Sequence, residues 1–133
     1  MKKRFLLFLP VLMVLIFGGV LSAADLDSKA KAWLDPHTEA PAIDVNGNWH
    51  AKEWGTIVLI QAPGSRDVKG DGDGWDITGV VSGKRIFLLF SHKGKVNYSA
   101  ELTAQADNSL NGSYARGFMG GNARAKPMLM IKQ

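Results

Sequence analysis

From Asn46 onward the chain breaks into short apolar runs separated by turn residues, and within each run apolar and polar side chains alternate. Alternation at every second position is the signature of a strand with one face buried, because successive side chains on a strand point to opposite sides. It is clearest in Val96, Tyr98, Ala100, Leu102 and Ala104, which interleave with Asn97, Ser99, Glu101 and Thr103. Applied along the chain, the pattern predicts strands over 48–53, 56–62, 68–72, 75–81, 85–91, 96–104, 109–115 and 125–131. Pro63-Gly64-Ser65, Asp73-Gly74, Ser82-Gly83-Lys84, His92-Lys93-Gly94 and Asp107-Asn108 supply residues that tolerate positive φ or bond their own backbone. Connections this short join sequence neighbours, and closing the meander removes the two open edges. The expected fold class is therefore all-β: an antiparallel up-and-down barrel of about eight strands, preceded by a short N-terminal helix.

The same period assigns faces. Ile57, Leu59, Gln61, Ile77, Gly79, Val81, Ile86, Leu88, Phe90, Leu110, Gly112 and Tyr114 join the set from Val96 to Ala104 inside the barrel. The outward set is expected to be polar, yet it includes Val58, Ile60, Val80, Phe87 and Leu89. A monomeric barrel gains nothing by exposing such residues together, so a cover is expected. We favour another envelope protein or the membrane surface as that cover, with Trp33 as an anchor. The alternative is the chain's own helix.

Before the barrel the pattern changes twice. Lys2, Lys3 and Arg4 precede an apolar run over 5–21 and the small residues Ser22-Ala23-Ala24, the layout of an export signal cleaved after Ala24 or Ala23. The expected location is periplasmic or secreted, or membrane-anchored if the signal is retained. Over 25–34, Leu26, Ala30, Trp33 and Leu34 fall on one face of a helix that Asp35-Pro36 ends, and Pro36 and Pro41 mark an extended linker up to about residue 45. The organisation is thus a signal over 1–24, helix and linker over 25–45, and one barrel domain over 46–133.

Charge looks different once the signal is set aside. The chain carries 16 Lys and Arg against 12 Asp and Glu, and the three basic residues at the start leave 13 against 12 in the remainder. That balance gives no support for a nucleic-acid partner. With no cysteine there are no disulfides, thiolate metal sites or thiol nucleophiles.

Gly47-Asn48-Trp49, at the opening of the first strand, resembles the glycine-any-tryptophan signature of lipocalin-type barrels. The stretches from Gly55 to Gln61, Asp76 to Gly83 and Asn108 to Tyr114 are similar to the strand-turn phrases of small exported bacterial barrels of the lipocalin-like and avidin-like group. The resemblance spans about residues 46–131 and implies a barrel plugged at one end by Trp49, with Arg124 in the place of a late Arg that covers this Trp. The Thr-Asp-Tyr motif of true lipocalins is missing, and the lack of any Trp after Trp75 speaks against an avidin-like biotin site.

No constellation marks a reaction, and no cofactor is expected. Asp67, Asp71, Asp73 and Asp76 lie among glycines but lack the spacing of a calcium loop, and read as turn chemistry. His37, His50 and His92 show no zinc pattern and read as surface residues. No glycine-flanked nucleophile is present either. The expectation is a non-enzymatic protein that binds a small apolar molecule, with Trp49, Gln61, Tyr98, Tyr114 and Phe118 as candidate ligand contacts. In this scheme Phe118 and Met119 sit at the tip of a glycine-rich loop over 116–124, as a lid over the barrel mouth or a partner contact. A protein-interaction module or periplasmic inhibitor is the second expectation, and an enzyme with an unmarked site the third. An eight-stranded barrel is just wide enough either to be filled by side chains or to hold one small ligand, and the bulky interior set favours a filled one.

Overall fold

The computed structural model describes residues 28–120 and 124–133. The expected signal at 1–24, the start of the expected helix at 25–27 and positions 121–123 of the glycine-rich loop lie outside the described residues. The chain opens with helix α1 (Ser28–Leu34) and continues through β1 (Gly47–Ala51), β2 (Gly55–Gln61), β3 (Asp67–Gly72), β4 (Trp75–Ser82), β5 (Arg85–His92), β6 (Lys95–Ala104), β7 (Leu110–Arg116) and β8 (Lys126–Lys132). The strands form a closed antiparallel barrel in sequence order, with β1 pairing to β8 through Trp49 opposite Lys132 and Ala51 opposite Met130. Tight turns make this order cheap. In the β3–β4 and β5–β6 hairpins both turn residues, Asp73-Gly74 and Lys93-Gly94, have positive φ, the conformation whose twist matches that of the flanking strands.

Two inward glycines let the wall curve. A Cβ on Gly79 would overlap the Phe87 carbonyl oxygen, and one on Gly112 would overlap that of Glu101. Both positions face a neighbouring backbone that approaches too closely for any side chain, the usual reason for glycine inside a strand.

The alternation sorts the faces as expected, with one exception. Ile57, Leu59, Ile77, Val81, Ile86, Leu88, Phe90, Ala100, Leu102 and Leu110 share a buried core with Trp49, Met128 and Met130. Val96, expected inside, instead packs with the outer cluster. The register between β5 and β6 shifts at Phe90/Ser91, where Tyr98 opposes Phe90 but Val96 opposes Ser91. One extra residue in β6 turns Val96 outward while Tyr98 stays in, because a bulge reverses the facing of everything beyond it.

The outer wall is divided. Val80, Phe87 and Leu89 are buried beneath Ala30 and Leu34 of α1, with Trp33, Val96 and Phe118 packed at the margin. The chain's own helix thus takes the place we assigned first to a partner or a membrane. The apolar stripe of α1 removes the same surface from water without paying for association. The contact is fixed by backbone caps: Arg66 donates from Nη2 to the carbonyls of Leu34 (3.2 Å) and His37 (2.6 Å). Val58 is half-buried and Ile60 exposed; Ile60, Leu129 and Ile131 remain the exposed large apolar residues on the opposite side.

The segment after α1 is an ordered strap. Ala42 N donates to Gly83 O and Glu39 N to Ser82 Oγ, which lead the chain across the β4–β5 turn. Val45 and Ile43 then enter the core at the barrel end where β1 begins. Trp49 lies there, buried, with Nε1 donating to Val45 O at 2.9 Å. The cation over the Trp49 ring is Lys132, at 5.6 Å from its centroid. Arg124, the residue that the resemblance put there, lies at the other end.

Candidate functional site

The hairpins β1–β2, β3–β4 and β5–β6 and the β7–β8 connection surround the end opposite Trp49. Here a pocket of about 530 Å³ is lined by Glu53, Trp54, Asp73, Trp75, Tyr98, Tyr114, Ala115, Arg116, Arg124 and Lys126. Its size falls within the usual range for small-molecule sites, about 300–1,000 Å³.

The pocket is organised around Trp54. This residue belongs to the turn Lys52-Glu53-Trp54-Gly55, where Trp54 N donates to Ala51 O and Gly55 takes positive φ. The turn folds its large ring into the barrel instead of leaving it in water. The indole stacks on Phe90 with centroids 4.4 Å apart, and meets Trp75 (6.0 Å), Tyr98 (5.2 Å) and Tyr114 (5.4 Å) edge to face. Such edge and offset contacts suit the charge distribution of aromatic rings and hold each ring in place. Trp75 is in turn covered by the His92 imidazole at 3.6 Å. Trp54 is only 7% exposed, and its Nε1 is buried without a hydrogen-bond partner. An unpaired buried donor costs free energy, so one left at a cavity is a feature that needs an explanation.

Electrostatics divides the rim. Arg116, Arg124 and Lys126 all come from the β7–β8 connection, whereas Glu53 and Asp73 come from the β1–β2 and β3–β4 turns. Among the described residues none of the three cations forms an ion pair; the printed distances place only Arg85 and Glu101 in one, far along β5 and β6. Arg116 rests its guanidinium 5.9 Å from the Tyr98 ring centroid. The Tyr114 hydroxyl has its pKa raised above the ordinary value, first by loss of solvent and then by the charge of Glu53 and by Tyr98. It therefore stays a protonated donor at neutral pH.

The five candidate ligand contacts separate into three groups. Tyr98 and Tyr114 line the pocket. Trp49 and Gln61 belong to the other end, and each is already occupied: Gln61 is buried, accepts from Val45 N at 2.8 Å and donates from Nε2 to Ser65 O at 2.8 Å. Phe118 is not a lid, since its ring packs on the outer wall 6.4 Å from Trp33. Its neighbour Met119 is held there too, accepting from Trp33 Nε1 at 3.0 Å through its carbonyl, while its N–H donates to Ser99 Oγ at 2.7 Å. Two backbone hydrogen bonds on the outer wall outcompete an excursion over the mouth.

No protein-family model, curated protein or solved structure matches the chain.

Sequence reasoning missed Trp54 and Trp75, and with them the basic side formed by Arg116, Arg124 and Lys126. The available signal was Trp54 itself, a large aromatic ring within an otherwise polar hairpin turn. His37 was also read too simply. Its ring lies flat on Phe87 at 3.6 Å with 9° between the planes, and partial burial, followed by the nearby Arg85 charge, lowers its pKa. Among the described residues no group of three or more His, Asp or Glu is placed to hold a metal ion.

Proposed function

We propose that the protein is an exported, non-enzymatic binding protein that takes one small molecule with a flat apolar body into the open end of a lipocalin-like barrel. The observation that carries this reading is the aromatic pocket around Trp54, closed below by Phe90 and open at the hairpins. Flat apolar ligands gain from burial against rings already fixed by their neighbours, because little side-chain freedom remains to be lost. The filled lower barrel limits the ligand to the size of the pocket, which argues against long acyl chains threading to Trp49. The basic and apolar layout at the start of the sequence supports export.

The experiment is a fluorescence titration of residues 25–133 with N-phenyl-1-naphthylamine, a neutral flat probe. Saturable one-to-one binding, weakened at least tenfold by Trp75→Ala, is the expected result. Absence of saturable binding overturns the proposal.

A further inference from the structure

Resting on the pocket reading above, we infer that the natural ligand carries an anionic group, a carboxylate or sulfonate attached to its flat apolar body, and that Arg116, Arg124 and Lys126 receive it. Three cations from a single connection converge on one side of the pocket without a carboxylate in ion-pair contact. Like charges held together repel, and a ligand anion relieves that repulsion while forming charge-assisted hydrogen bonds. A guanidinium adds a planar fork suited to two oxygens, and two of the three residues are arginines.

The groups facing the opposite side do not cancel this preference. Glu53 and Asp73 belong to the β1–β2 and β3–β4 turns, so the mouth is polarised, with its positive side at β7–β8. The orphaned donor deeper in the pocket points to the same chemistry. Trp54 Nε1 can only donate, and a ligand acceptor satisfies it without placing a second donor against it. Taken together, the uncommitted groups of this site are donors and cations, while its walls are rings. That is the complement of an aromatic or fused-ring acid.

The test compares two probes with the same body. Residues 25–133 are titrated at low salt with N-phenyl-1-naphthylamine and with 1-anilinonaphthalene-8-sulfonate, which adds the anionic group. The sulfonate is expected to bind at least tenfold more tightly, and its advantage to shrink as salt is raised, since exposed charges are screened. In the triple variant Arg116→Gln, Arg124→Gln, Lys126→Gln, the two affinities are expected to come within twofold, with the neutral probe unchanged. These are exposed side chains, so the barrel is retained, and the salt series on the unaltered protein stands as an independent measurement. Equal affinities for the two probes in the unaltered protein, or a sulfonate advantage that survives the triple substitution, overturn the inference while leaving the pocket reading intact. Failure of both probes to bind overturns both.

Discussion

The Trp54 indole lies on the Phe90 ring with their centroids 4.4 Å apart and their planes 24° from parallel. This contact separates a filled barrel from a hollow mouth. Below it, Leu88, Ile57, Ala100 and Leu102 occupy the interior as a common core. Above it, the same indole becomes a wall of the pocket. A turn residue has been folded inward to act as a partition, at the cost of a buried Nε1 without a partner.

Substitutions at Trp54 separate these two roles. Trp54→Phe keeps a ring on Phe90 and removes the unpaired donor, so its urea midpoint is expected to stay close to that of the unaltered protein. Trp54→Ala leaves a void among four rings and is expected to cost about 3–5 kcal/mol. A Phe variant as unstable as the Ala variant contradicts the view that the Nε1 group contributes nothing to the unliganded fold.

At the other end, Trp49→Ala is expected to lower stability by about 3–5 kcal/mol, because the ring is fully enclosed and its Nε1 is bonded to Val45. Chemical denaturation measures it. An unchanged midpoint means that the strap and the ring do not close this end together.

Removing residues 25–34 uncovers Val80, Phe87 and Leu89. The truncated protein is expected to self-associate, whereas the chain from residue 25 stays monomeric in light scattering. A truncated protein that remains monomeric and fully soluble shows that the outer cluster does not need its helix.

The His37 ring provides a pH dependence. Its folded pKa lies below the ordinary 6.5, so the unfolded chain binds the proton more readily than the folded one. Its contribution to stability is therefore complete above pH 6.5 and is lost as pH falls through the lower folded value. The urea midpoint is expected to decline between pH 7.5 and 5, and His37→Gln to flatten that decline. An equal decline in the variant assigns the effect to another group.

Strand number, order and facing were legible because period-two alternation and turn chemistry are local signals that agree with the closed barrel. Val96 was misplaced because a bulge depends on the partner strand: nothing within β6 announces that Tyr98 and Val96 face opposite sides. The site was less legible. Tyr98 and Tyr114 were found through their inward register, but Trp54 lies outside every strand, where alternation has no meaning. Its burial follows from the direction in which the turn points. Phe118 illustrates the reverse error. A glycine-rich loop suggests freedom, and only the bonds of Met119 to Trp33 and Ser99 show where it is held. The apolar outer wall was read correctly as needing a cover, yet its occupant depended on Arg66 clamping the end of the helix, a contact between residues far apart in sequence.

The closure of β1 against β8 also governs how such a chain must fold. Trp49 faces Lys132, and Gln133 N donates to Asn48 O, so the first strand acquires its second neighbour from the last residues synthesised. Until then a nascent meander has two unsatisfied edges, each a template for pairing with another chain. Bringing together residues so distant in sequence carries the loop-closure entropy that slows β-topologies. The interval before closure is thus the aggregation-prone phase of this protein's life, and a chain shortened by even the final strand would be left in it permanently.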